Sequence, residues 1–208
     1  MLVSGGGTNL GALLDELSKS GEQSARITRV ISSRADAGAL ERATRAGVAT
    51  AVLKDPDDAA ELLAALDGTR LVVLAGYMRH VPARTVARYR FRMINIHPAL
   101  LPAFGGPGMY GRRVHERVLA SGVTFSGATV HYVDEEYDHG PIIAQWPVPV
   151  RPDDTPDSLA ARVLAAEHRL LPLVVTALAQ RGVPETPVRL YVPSAAFTTG
   201  GTLGIELK

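Results

Sequence analysis

The sequence predicts an α/β fold: a single domain with a mostly parallel central sheet and helices on both faces. Two observations carry that expectation. Short β-rich runs alternate with segments whose apolar residues recur at helical spacing, the pattern of consecutive strand-helix units. The run LVVLAG, residues 71 to 76, is apolar on both faces, as a strand covered from both sides must be. At 208 residues, 46% apolar and 21% charged, the chain is long enough for one sizeable core and has ordinary globular composition.

Taken in order, Leu2-Val3 is a short first strand, and Asn9 to Ser18 carries leucines at helical spacing. Strands are expected over Arg26 to Ile31, Ala49 to Leu53, Leu71 to Ala75 and Met93 to His97, with helices over Ala37 to Ala46, Pro56 to Leu66 and Pro82 to Tyr89 between them. After His97 the rhythm changes. A Gly/Pro-rich loop from Pro102 to Gly111 leads to a helix near Val114 to Ser121. Two further strands, Ser126 to Val133 and Pro141 to Val150, flank the turn DEEYDHG. Asp154 to Arg181 reads as a long helix capped by Asp154 or Thr155, with Gly182 just past its end. No linker composition and no internal repeat appear, so residues 1–183 are expected to form one unit. Residues 184–208 are expected as a C-terminal arm packed on it or extending from it.

Lys plus Arg number 22 against 21 Asp plus Glu, a net charge of +1, so no broad basic field exists to attract nucleic acid or an anionic membrane. Neither is an expected partner. The absence of cysteine excludes disulfides, thiolate metal sites and a cysteine nucleophile. The opening MLVSGGGTNL has no basic stretch leading into an apolar run, and Leu71 to Met78 and Leu170 to Ala179 fall short of the roughly 20 residues a bilayer span needs. A cytoplasmic protein, monomeric or homodimeric, is the expectation.

Three places could carry chemistry. Ser4-Gly5-Gly6-Gly7-Thr8-Asn9 follows a short strand and opens a helix, where glycines allow backbone N–H groups to turn toward an anion and the helix terminus adds partial positive charge. The plain alternative is a tight turn capped by Asn9 or Thr8. A dinucleotide fits poorly: the spacing Gly5-x-Gly7-x-x-Leu10 lacks the third glycine, and Ser32, Ser33 and Arg34 stand where a ribose-binding acid belongs. No Gly-Lys-Ser/Thr follows, so a single phosphate is the better fit.

The strand Met93-Ile94-Asn95-Ile96-His97 places Asn95 and His97 on one face at its two-residue period. They fall at the carboxyl end of a strand, where open α/β sheets bind ligands, and Pro98 restricts His97 to extended geometry. A lone strand histidine is ordinarily a hydrogen-bonded core residue; here the amide partner and the strand-end position favour function. The third place is DEEYDHGPII. Its acids Asp134, Glu135, Glu136 and Asp138 suit a solvated turn, yet a carboxylate beside an imidazole can orient it and stabilise its protonated form. Which acid would reach His97 is open at this level. His97, His115, His131 and His139 show no recognised ligand spacing, so no metal is expected.

Ser4-Gly-Gly-Gly-Thr-Asn-Leu10, Ala75-Gly-Tyr-Met-Arg79, Asn95-Ile-His-Pro-Ala-Leu-Leu-Pro102, Ser126-Gly-Ala-Thr-Val-His131 and Asp138-His-Gly-Pro-Ile-Ile143 occur in this order. The arrangement resembles the folate-dependent formyltransferases over most of residues 1 to about 180, and the resemblance implies their Rossmann-like fold. It further implies an enzyme of purine biosynthesis that moves a formyl group from the co-substrate 10-formyltetrahydrofolate to the amine of glycinamide ribonucleotide, without a metal. Carried over by motif, Asn95, His97 and Asp138 are the catalytic trio; Gly7, Thr8, Asn9 and Glu167 bind the nucleotide; Met78, Arg79, His80, Val81 and Asn95 line the folate slot. The chemistry suits these residues, because amine attack on a formyl carbon creates an oxyanion that an amide N–H and an imidazolium can stabilise. The rival readings are a formyltetrahydrofolate hydrolase, which typically has an added N-terminal domain, and a methionyl-tRNA formyltransferase, which usually has a C-terminal domain and a basic face. A catalytically silent nucleotide-binding module is a third, though it has no need of the Asn95, His97 and Asp138 set.

Overall fold

The computed structural model describes residues 1–19, 25–182, 184–192 and 206–207. Five strand-helix units come first: β1 (Leu2–Val3), α1 (Thr8–Lys19), β2 (Arg29–Ser32), α2 (Gly38–Arg45), β3 (Ala49–Val52), α3 (Ala59–Ala65), β4 (Val72–Ala75), α4 (Ala83–Arg88), β5 (Met93–His97) and α5 (Arg112–Ser121). Then follow β6 (Phe125–Tyr132), β7 (Ile142–Pro149), the long α6 (Pro156–Arg181), β8 (Leu190–Tyr191) and β9 (Glu206–Leu207). The main sheet has seven strands in the order β3-β2-β1-β4-β5-β6-β7. Strands β1 to β5 run parallel, whereas β6 and β7 join antiparallel at one edge. The expected mostly parallel sheet is the one observed.

Each face of the sheet has its own core. Val3, Val30, Val73, Ile94 and Ile96 pack with residues of α1, α2, α5 and α6, while Leu2, Ile31, Val72, Leu74 and Met93 pack with Leu62 of α3 and Val86 of α4. The alternation of neighbours between the two clusters, Met93 to one side and Ile94 and Ile96 to the other, is the period-two pattern read in the sequence. Within α6, Leu159, Val163, Ala166, Leu170, Val174 and Leu178 are buried at intervals of three and four. At 26 residues α6 is long and apolar enough to cross a membrane by length and composition alone, but its apolar stripe covers the sheet.

Several boundaries move from their expected places. Strand β2 begins at Arg29 rather than Arg26, because its ladder partners start there: Arg29 pairs with Ala49, and β1 reaches only Ile31 and Ser32. Helix α3 starts at Ala59 rather than Pro56, since the Asp58 carboxylate accepts from the Ala60 N–H and sets the first turn. Thr155, not Asp154, caps α6 through a reciprocal capping box with Ser158. Asp154 is instead held by Arg162 and by the Arg151 N–H, which keeps its carboxyl far below the usual carboxylate range. Beyond α6, Leu190 and Val192 are buried in the larger core, and β8 pairs antiparallel with β9. Residues 193–205 and 208 of the expected arm, and residue 183 before it, lie outside the described residues.

Candidate active site

The sheet reverses its direction of growth between β1 and β4, and the carboxyl ends of β1, β4 and β5 open there into a cleft of about 740 Å³. This is the crevice where open α/β sheets bind ligands. A serine ties its walls together: the Ser4 hydroxyl accepts from the Met78 N–H at 2.9 Å and shares a hydrogen bond with the Ser33 hydroxyl at 2.6 Å. The glycine segment and the Met78 turn are thereby fixed to one another. Sequence reasoning gave Ser4 no such part, because its partners are 29 and 74 residues away.

Asn95 and His97 lie on the same face of β5, and the antiparallel register sets His131 opposite Asn95 and Thr129 opposite His97. Thr129 fixes the chain after β5, with its Oγ1 accepting from the Leu101 N–H and donating to the Ala99 carbonyl. Of the four acids in the turn, Asp138 is the one that reaches the imidazole, with Oδ2 3.4 Å from His97 Nδ1. Its other oxygen lies 3.5 Å from Asn95 Nδ2 and 3.6 Å from His131 Nε2. The Gly106 N–H donates to Oδ2 at 3.0 Å. Asp138 adopts a left-handed backbone, φ 56°, a conformation that Asp accepts more readily than most residues.

Hydrogen-bond direction fixes the ring states. His97 Nε2 is 2.8 Å from the Phe104 carbonyl, which only accepts, so Nε2 carries a hydrogen and Nδ1 is the atom that gains or loses a proton against Asp138. His131 Nδ1 likewise donates to the Tyr132 carbonyl at 2.8 Å. In the neutral ring Nε2 is then an acceptor, and it takes the Asn95 Nδ2 hydrogen at 3.1 Å. His131 therefore orients the Asn95 amide. Its place on β6 shows in the sequence as an alternating strand, but its role depends on a cross-strand register that the sequence does not display.

Burial pushes the His97 imidazole below its ordinary pKa, with the Asp138 charge and the Phe104 carbonyl pulling the other way. Burial also works against ionised Asp138, but the neighbouring His131 and His97 rings and the Gly106 N–H outweigh it and hold the carboxyl below its usual range. The free site thus pairs a carboxylate with an imidazole ready to take a proton. His115, on α5, borders the same cleft with Nδ1 unpartnered among the described residues, and burial followed by the neighbouring His97 lowers its pKa.

At the other end of the cleft stand Gly7, Thr8, Asn9 and Glu167. Asn9 Nδ2 donates to Glu167 Oε2 at 2.6 Å, joining the start of α1 to the middle of α6. Burial raises the Glu167 carboxyl to about 7, and the Asn9 hydrogen bond only partly offsets this. Met78, Arg79, His80 and Val81 form the opposite wall. Met78 is 51% exposed, an apolar surface open to the cleft, while Val81 is packed in the smaller core cluster. Arg79 pairs with Asp57, and His80 bonds the Glu135 carbonyl and meets Tyr137 edge-on. Every site residue expected from the sequence borders this one cleft. Among the described residues, no group of three or more His, Asp or Glu side chains is placed to hold a metal ion.

The formyl transferase family model matches residues 1–175. A chloroplastic phosphoribosylglycinamide formyltransferase of Vigna unguiculata is 39% identical over 88% of this chain, and the match spans 61% of that protein's length. The phosphoribosylglycinamide formyltransferase of Escherichia coli (strain K12) is 40% identical over 85% of this chain and 84% of its own. Among solved structures, the phosphoribosylglycinamide formyltransferase of Anaplasma phagocytophilum superposes with a TM-score of 0.79 at 42% identity, covering 86% of this chain and 85% of that one. This chain thus spans less than two thirds of the plant relative and most of the bacterial ones.

Proposed function

The chain belongs to the formyl transferase family, and from that premise we propose that it transfers the formyl group of 10-formyltetrahydrofolate to the amine of glycinamide ribonucleotide, a step of purine biosynthesis carried out in the cytoplasm. The observation that carries this reading is one cleft holding both a glycine loop suited to phosphate and the Asn95, His97, His131 and Asp138 cluster. In this reading residues 1–183 are the catalytic unit, and residues 184–208 are a C-terminal arm packed on it or extending from it.

The cleft suits two ligands meeting end to end. The glycine loop with Asn9 and Glu167 takes the phosphate and ribose; the wall from Met78 to Val81, with its exposed methionine, takes the flat folate ring. Between them the amine nitrogen attacks the formyl carbon, and the carbonyl electrons move to oxygen. The Nε2–H of His97, shared with Phe104 in the free protein, and the Asn95 hydrogen that only weakly serves Asp138 at 3.5 Å are the donors for that oxyanion. The amine's proton passes to the Nδ1 and Oδ2 pair of His97 and Asp138, and is then returned to the folate nitrogen as the carbon–nitrogen bond to it breaks. One proton leaves the attacking nitrogen and one reaches the leaving nitrogen.

A transferase has to shield its intermediate from water. With formylfolate alone the protein is therefore expected to release tetrahydrofolate slowly, and glycinamide ribonucleotide is expected to accelerate release by at least about 100-fold. Folate absorbance with and without the nucleotide measures this. Rapid release that the nucleotide does not increase identifies a hydrolase, and no release under either condition identifies a silent binder.

The glycine loop gives a second expectation. A side chain at Gly7 places its first carbon 2.6 Å from Ala39 Cβ, and the residue sits at φ +72°, so any substitution displaces the loop from α2. Gly7→Ala is expected to raise the KM for the nucleotide at least about 10-fold and the KM for formylfolate by less than about 2-fold. Equal weakening of both substrates would show damage to the fold rather than to a phosphate seat.

A further inference from the structure

Three successive carbonyls of the glycine segment are held from outside. The Gly5 oxygen accepts from the Ala39 N–H of α2 at 3.1 Å, the Gly7 oxygen from the Gly11 N–H of α1 at 3.0 Å, and between them the Gly6 oxygen accepts from Arg42 Nε at 2.8 Å. In a trans peptide the N–H points opposite to the carbonyl, so each of these bonds also aims an N–H: those of Gly6, Thr8 and Gly7 respectively. Among the described residues, neither the Gly6 nor the Gly7 N–H has a protein acceptor. Both residues border the cleft.

The middle peptide differs from its neighbours in two ways. Its carbonyl depends on a side chain rather than on helix backbone, and it joins two glycines, so it can rotate with little steric resistance. Turned over, it would present a carbonyl oxygen to the cleft in place of an N–H, repelling an anion instead of binding it. Arg42 sits on the exposed side of α2 and does not border the cleft, and among the described residues its guanidinium has no carboxylate partner. Among the described residues, its hydrogen bond is the one to the Gly6 carbonyl.

We propose that Arg42 is a positioning residue for the phosphate seat: it locks the Gly6–Gly7 peptide so that the Gly7 N–H faces the nucleotide phosphate. The inference rests on the reading of the glycine loop given above. It gives α2 a part in acceptor binding although no α2 side chain borders the cleft. A separation of 36 positions between Arg42 and Gly6 keeps this link out of sight in the sequence.

The test compares Arg42→Ala and Arg42→Lys with the unaltered protein in steady-state transfer, and adds ribose 5-phosphate as a competitor against the nucleotide. Arg42→Ala is expected to raise the nucleotide KM and the ribose 5-phosphate inhibition constant together by about 10-fold, with kcat and the formylfolate KM within about 2-fold. Arg42→Lys, which can still reach the Gly6 carbonyl with one donor, is expected to recover part of the loss. An unchanged nucleotide KM, or an equal rise in both KM values, overturns the role of Arg42 and leaves the transferase reading standing. Failure of ribose 5-phosphate to compete in the unaltered protein overturns the phosphate seat itself. Should Arg42→Ala not fold, Arg42→Gln, which keeps most of the side-chain stem and loses the charge, is read by the same measurements.

Discussion

His97→Ala is expected to lower the rate of formyl transfer by at least about 100-fold while leaving the protein folded. The imidazole is 3% exposed and holds two partners, the Phe104 carbonyl and the Asp138 carboxylate. On the proposed mechanism its removal takes away the group that accepts the amine's proton and a donor to the oxyanion, and it frees the Phe104 carbonyl from its partner. The orphaned carbonyl is expected to cost about 1–3 kcal/mol of stability, visible as a lower melting temperature. Turnover and a thermal melt on the same preparation separate the two effects. Near-normal turnover from a folded His97→Ala protein would sink the mechanism.

Asp138→Asn is expected to reduce the rate by about 100-fold as well, with a distinctive pH dependence. The substitution keeps the shape and the acceptor for Gly106, and removes the charge. The sign follows from the forces on His97: burial lowers its pKa and the Asp138 charge raises it, so loss of the charge lowers it further. A rate that needs neutral His97 falls as pH drops through that pKa. The acidic limb of the kcat/KM profile should therefore move to lower pH in Asp138→Asn, even as the plateau falls because the imidazolium formed during attack has lost its counter-charge. A full-rate variant with an unshifted limb would return Asp138 to the solvated turn.

The parts of this site that were legible in the sequence are those set by short-range rules. Strand periodicity placed Asn95 and His97 together, the proline after them marked the strand end, and the glycine run before a helix marked a turn that borders the cleft. The choice among Asp134, Glu135, Glu136 and Asp138 was not legible, because it turns on one left-handed residue and on how far the loop folds back. Nor could the sequence show that the Phe104 carbonyl and the Gly106 N–H hold His97 and Asp138, since these are backbone atoms that any residue carries. His131 and Arg42 share that obscurity: each acts across a distance in sequence that only the packed sheet closes. At the level of fold, boundaries failed where an element needed a partner to exist, as at residues 26–28 ahead of β2.

The backbone of Asp138 also bears on which sequences this site can become. A left-handed residue admits Asn or Asp far more readily than a longer, unbranched acid, so replacement by Glu pairs an unfavourable backbone with a carboxylate displaced by one carbon. Gly105 narrows the choice again, for a side chain there would stand 3.0 Å from Asp138 Cβ and 2.5 Å from Leu101. The two positions are therefore expected to depend on one another, because a side chain at 105 would crowd the one at 138. On the proposed mechanism, a lineage that loses this acid has an easier path to Asn than to Glu, so a folded, binding-competent and much slower descendant is expected as its nearest neighbour in sequence space.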